Sequence, residues 1–310
     1  LNKASLVLDN GLSMNNVNVK AKTIGEDLVA FGLTLDTLNL ASLIDLAQYF
    51  PDELEETKKN LEALSPRGSV TALNLDWNKG DSFFAGLNLK MQANNLSVKA
   101  YQDFPGIQNF SGALDVQDYK GLIRVNSKNF VVSKYDTFRE DLKFNELKGL
   151  LSWNKNAFMI KNISASNTDF EAVLNGRYNS SDSDDDVTID IPRADISDLK
   201  EYYPKQMGKE ALNWLDTSLL KGVANNTKVV MRGKLKDFPF IDDKNNPDEN
   251  EGIFRITSKI TGSEIEYGTN WPNAENFNID FKLNASRIEF TSETGEIADN
   301  KIISFKGVIP

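Results

Sequence analysis

The 310-residue sequence contains neither cysteine nor histidine. That double absence removes thiol nucleophiles, imidazole bases, Ser-His triads and most zinc sites together. Carboxylate-pair chemistry of the glycosidase kind stays open, but no spacing singles out two facing acids. A chain without thiols also suits an oxidising compartment. Basic stripes are lacking as well. The chain carries 35 Lys and Arg against 45 Asp and Glu, a net charge of −10, whereas a phosphate backbone demands clustered cations. Nucleic acid is therefore excluded as a partner. No run reaches the roughly 18–20 apolar residues that span a bilayer. The chain opens at Leu1 without an initiator Met or signal pattern and stops just after the strand-like run ending at Pro310, so a membrane anchor is expected outside it.

What is present is alternation. Hydrophobic residues make up 40% and charged residues 26%, enough to bury a core. The length suits two domains or one extended repeat array. Leu73-Asn-Leu75-Asp-Trp77, Leu87-Asn-Leu89-Lys-Met91 and Leu96-Ser-Val98 place apolar side chains on one face of a strand and polar ones on the other. Phe170-Glu-Ala-Val-Leu174, Val187-Thr-Ile189-Asp-Ile191 and Phe277-Asn-Ile279-Asp-Phe281-Lys-Leu283 do the same. Such sheets have one dry face and one wet face.

Two segments read as helices. Pro51–Leu64 opens on Pro and acidic residues, with Lys58 and Lys59 following, an order that suits the helix dipole. Pro204–Leu220 puts Met207, Ala211, Trp214 and Leu215 on one stripe, with Gly222 placed to end it. Both belong to an internal repeat. The run from Ala41 to Tyr49-Phe50-Pro51 matches the run from Ala194 to Tyr202-Tyr203-Pro204, 153 residues on. Phe104-Pro105 through Asn109-Phe110 matches Trp271-Pro272 through Asn276-Phe277, 167 residues on, and the polar insert Asp242–Glu251 takes up most of the difference. The expected organisation is the end of a preceding unit over 1–40, one repeat over 41–193 and a second over 194–310. Stacked repeats of this kind share a continuous dry face. The fold class expected is mainly β: an elongated, repeat-built β groove, a U-shaped sheet with two short helices.

The markers Tyr202-Tyr203-Pro204, Trp214-Leu215-Asp216, Gly233-Lys-Leu-Lys-Asp237-Phe238-Pro239-Phe240 and Trp271-Pro272, in that order, resemble the AsmA-like superfamily. The resemblance runs from about residue 40 onward and is most specific over 194–283. It implies a bridge-like lipid transport protein of the Gram-negative periplasm, anchored in the inner membrane by segments outside this chain. It brings no catalytic residues and no cofactor. Elementary energetics agrees, since each buried methylene is worth about 0.8 kcal/mol and bare passage of two acyl chains through water is prohibitive.

The expected partners are phospholipid acyl chains. The candidate groove face comprises Leu73, Leu75, Leu87, Leu89, Met91, Leu96, Val98, Phe110 and Leu114 in the first half, and Phe170, Leu174, Val229, Met231, Phe254, Ile256, Phe281 and Leu283 in the second. The competing reading is a β-sandwich surface module, an adhesin or carbohydrate binder, in which the same residues form a closed core. Trp77, Trp153, Trp214 and Trp271 are expected in core packing rather than on sugars. The acidic run Ser181–Asp186 lacks the Gly and distal Glu of a calcium loop and reads as a solvated turn.

Overall fold

The computed structural model describes residues 4–7, 13–47, 55–102, 104–134, 136–179, 185–203, 205, 209–234, 238, 240, 252–268, 270–285 and 287–309. Two compact units emerge: Leu1–Lys134 with Lys143–Lys155, and Tyr135–Leu142 with Asn156–Pro310. Both are mainly β and antiparallel.

The first unit contains β1 (Ala4–Val7), β2 (Ser13–Ile24), β3 (Asp27–Asn39), β4 (Arg67–Asn78), β5 (Leu87–Val98), β6 (Gly106–Gln117), β7 (Lys120–Ser133) and β8 (Leu142–Trp153). From β1 to β7 each strand pairs with the next. Helices α1 (Ala41–Ala47) and α2 (Glu55–Leu64) fill the connection from β3 to β4.

The second unit contains β9 (Ala157–Ser166), β10 (Phe170–Asn179), β11 (Asp185–Asp195), β12 (Leu219–Gly233), β13 (Ile253–Ile265), β14 (Ala274–Asn284) and β15 (Arg287–Ser292), again paired in sequence. Short strands β16 (Glu296–Ile297) and β17 (Asn300–Lys301) follow, and β18 (Phe305–Ile309) returns to pair with β15. A 3₁₀ turn (Asp198–Tyr202) and α3 (Lys209–Ser218) fill the connection from β11 to β12.

The helices differ in detail from expectation. The start of each expected helix and the insert Asp242–Glu251 lie outside the described residues. Lys58 and Lys59 fall in the middle of α2 rather than its last turn, and Lys59 pairs with Glu55 at 3.7 Å. Helix α3 stops at Ser218, and Leu219 already pairs with Ile265 as strand. Trp214 is exposed because α3 turns Leu212, Leu215 and Ser218 inward instead. Trp271, on the loop before β14, is 66% exposed, so only Trp77 and Trp153 are even half-buried. Among the described residues, no helix is long and apolar enough to cross a membrane.

The repeat markers recur as geometry. Asn39 Oδ1 accepts the Ala41 N–H where the chain leaves β3, and Asp195 Oδ1 accepts the Ser197 N–H where it leaves β11. At the junctions β5–β6 and β13–β14 the correspondence is closer. The Asn95 N–H donates to Ser111 Oγ (3.0 Å) and the Gly262 N–H to Asn278 Oδ1 (3.1 Å). Next along, the Ser111 N–H donates to Ser127 Oγ and the Asn278 N–H to Thr294 Oγ1. Asn95 and Gly262, Ser111 and Asn278, and Ser127 and Thr294 are each separated by the same 167 residues as Pro105 and Pro272.

Those hydrogen bonds serve a line of bulges. Asn16, Ala72, Asn95, Asn109, Asn129, Asn162, Asn226, Gly262 and Asn276 all sit inside strands with positive φ, a conformation Asn and Gly tolerate best. Register slips by one residue beside most of them. A bulge inserts an extra residue and bends its strand. Leu87, Leu89, Met91 and Ala93 share one face before Asn95, and Leu96 regains that face after it, because it pairs with Phe110, in phase with Gly112 and Leu114. The hydroxyl of buried Ser127 accepts the Ser111 N–H and donates to the Ser111 carbonyl, satisfying backbone groups the bulges leave without ladder partners.

Candidate functional site

Directly opposed residues in an antiparallel pair send their side chains to the same face. Following Cα partners across the strands therefore traces a row. In the first unit one row reads Val19, Leu33, Leu75, Leu89, Val116, Gly121. In the second unit one reads Ile163, Leu174, Ile189, Val229, Ile256, Leu283, Ile288, Ile309. Neither contains an ionisable group. At ~4.8 Å per strand the rows extend about 24 Å and about 34 Å, perpendicular to the strands.

Parallel rows widen each lane. Phe31, Trp77 and Leu87 lie on one side of the first row, and Met91, Leu114 and Ile123 on the other. Gly176, Val187, Met231 and Phe254 flank the second, with Ser258, Phe281 and Phe290 opposite. All of the groove candidates fall on these faces. Leu96 and Val98 pair with Phe110 and Ile107 beyond the bulge, and Phe170 pairs with Ala194. Sequence reasoning missed Val19, Leu33, Val116 and Ile123, and also Ile163, Ile260 and Ile288. The register through their neighbours assigns them, and alternation alone does not supply it.

The opposite faces are charged. Lys90–Asp115, Asp190–Lys228, Asp186–Arg232 and Lys259–Asp280 are directly opposed cross-strand ion pairs at 3.0–3.3 Å. Each is solvent-exposed and worth little in stability. Together they keep this face wet and fix which face is which.

The lanes are incompletely covered. Leu73, Leu75, Leu89, Met91 and Leu114 are half-buried rather than buried, as are Leu174, Val229, Met231, Ile256 and Leu283.

Cover exists at one level of the second unit. Ile196 and Leu199 lie over Ala194, Ala224 and Ile260, and Ile297 and Ile302 pack on Ala274, Phe277 and Ile279. A polar brace backs the first of these clusters. The Tyr202 ring meets Phe170 edge-on at 4.9 Å, and its hydroxyl accepts from Asn167 and donates to Asp169. Burial pushes that phenol up to about 12. Arg139 donates to both oxygens of Asp216 at 2.8 Å, and this hydrogen-bonded pairing holds the Asp216 carboxyl below the usual range. These groups fasten α3. They lie off the apolar rows.

Comparison with known proteins adds three findings. A family profile described as "YhdP protein" matches residues 1–310. The chain is 25% identical over 225 residues to a protein of Escherichia coli (strain K12) named "Intermembrane phospholipid transporter YhdP", an alignment covering 69% of this chain and 17% of that relative. No solved structure matches.

Proposed function

The chain belongs to the YhdP family, and we propose that the apolar face of each unit is a lane that shields phospholipid acyl chains from water during transfer between the inner and outer membranes. The observation that carries this reading is the pair of uncharged cross-strand rows, running perpendicular to the strands and left half-exposed. An acyl chain laid along a row exchanges water for Leu, Val and Ile at ~0.8 kcal/mol per methylene. No group in either row offers a deep, specific contact, so successive positions are nearly equal in energy and the chain slides. A sandwich module would bury these rows throughout, whereas most of their residues are half-buried, which supports the lane.

In this reading the segment is non-catalytic and periplasmic. It acts as part of a longer protein whose inner-membrane anchor lies elsewhere, since it spans about a sixth of its relative's length. In the same reading the repeat units 41–193 and 194–310 are duplicated building blocks, each with a helical insert, and each lane draws strands from both sides of a repeat boundary.

Photo-cross-linking tests the assignment of faces. A benzophenone amino acid placed at position 89 is expected to capture phosphatidylethanolamine from vesicles, detected as a mass adduct. The same group at position 90, one residue along on the charged face, is expected to capture none. Equal labelling at both positions, or labelling at 90 alone, overturns the proposal.

A further inference from the structure

Each lane contains a glycine overlain by an aromatic ring. In the first unit the row reaches Gly121, where a Cβ would fall inside the indole of Trp153. In the second, Gly307 is the direct partner of Phe290, and a Cβ there would fall inside the Phe290 ring. Each ring thus lies down in the space that a side chain would occupy. A flat ring takes up about one van der Waals thickness above the backbone, whereas a ring displaced by a neighbouring side chain must stand up from the sheet. Lane glycines do not all behave this way. Gly176 has no ring over it, and a Cβ there would meet Val187 Cγ2 at 3.5 Å and Ile160 Cδ1 at 3.7 Å, ordinary contact distances.

We propose that Gly121 and Gly307 are clearance-determining residues: by letting Trp153 and Phe290 lie flat, they set how bulky an acyl chain the lane admits. The inference rests on the lane reading above and adds to it a specificity element, that of a phospholipid whose chains are slender. A side chain at Gly121 raises the Trp153 indole into the lane. Removal of the indole at Trp153 leaves a trench.

The test measures binding of two phosphatidylethanolamines to the whole chain, one with straight acyl chains and one with a terminal pyrene on one chain. Gly121→Val is expected to lower the pyrene-to-straight affinity ratio by about tenfold, the order of a small misfit in an apolar site. Trp153→Ala is expected to raise it, and Lys90→Gln, on the charged face, to leave it unchanged. The double variant Gly121→Val with Trp153→Ala is expected to recover the wild-type ratio or exceed it. If Gly121→Val does not fold, Trp153→Ala alone decides, because it introduces no clash. A ratio that moves in neither variant overturns the clearance proposal while leaving the lane intact, provided the unaltered chain binds the straight lipid. Absence of binding by the unaltered chain overturns the lane reading and this inference together.

Discussion

Each unit carries the same alternating pattern over one level that is closed and another that is not. In the first, the row through Leu33, Leu75 and Leu89 is only half-buried, whereas Val70, Ala93 and Val125, further along the same strands, are buried. In the second, Ile196 and Leu199, together with Ile297 and Ile302, cover the level through Ala224, Ile260 and Ile279. An apolar strand face is therefore neither core nor lining by composition. Whether it closes depends on the connection that lies over it, and the second unit joins its strands with segments that fold back. The covered levels stabilise the sheet, while the uncovered rows keep the apolar surface that the proposed lane requires.

That difference predicts unequal costs of truncation. Phe277 is 4% exposed, meets Phe305 edge-on and packs in the cluster with Ile279. Phe277→Ala is expected to cost about 3–5 kcal/mol, the usual penalty for emptying a closed aromatic site. Leu89→Ala, on the open row, is expected to cost only about 1 kcal/mol, because the side chain never left water completely. Urea denaturation of each variant measures both. Equal costs would mean that the first lane is as closed as the cluster.

Much of this architecture was legible as period-2 alternation, which supplied the strands, the dry face and nearly all of the groove candidates. The bulges were not legible, although their trace is in the sequence. Met91-Gln-Ala93-Asn-Asn95-Leu96-Ser-Val98 slips phase by one at Asn95, and Val229-Lys-Thr227 slips likewise at Asn226 toward Ala224, read backwards. A slip at one Asn is ambiguous until the partner strand shows which residue regains the face. Trp214 and Trp271 were misplaced for a different reason. Their spacing suited burial, but they sit on connections, and a connection's buried side is set by tertiary contacts that no local period encodes. The Gly121–Trp153 pair was invisible for the same reason, the two residues being brought together only by the strands.

A charge placed on the open row sharpens the comparison at the level of function. Leu89→Asp leaves the carboxylate hydrated when the lane is empty, so the fragment is expected to fold with a loss of about 1–2 kcal/mol. Every acyl chain that passes must strip water from that carboxylate, and lipid affinity is expected to fall about tenfold or more, as each 1.4 kcal/mol of added desolvation is a factor of ten. Lys90→Gln breaks only the exposed pair with Asp115 and is expected to change neither quantity measurably. Binding of straight-chain phosphatidylethanolamine, measured with melting temperature, separates the cases. Should Leu89→Asp abolish folding, the first lane is a closed core. Should it fold and bind normally, lipid does not use this row.

The smallest expected effect concerns the brace behind the covered level of the second unit. Tyr202 supports Phe170, and its repeat counterpart Tyr49 lies outside the described residues. Its folded-state value, raised by burial to about 12, exceeds the ordinary phenol value of about 10. The folded state therefore favours the protonated hydroxyl. The contribution is complete below pH about 10 and is lost as pH rises from there through the folded-state value near 12. Tyr202→Phe removes the hydrogen bonds to Asn167 and Asp169, a loss of about 1 kcal/mol at neutral pH. The variant has no hydroxyl to ionise, so its deficit relative to the unaltered chain should shrink steadily between pH 10 and pH 12. Urea midpoints across that range measure the gap, with Tyr178→Phe, an exposed position, as the reference for general alkaline unfolding. A deficit that stays constant with pH would show that the hydroxyl is not held protonated by its burial, and that the brace contributes packing alone.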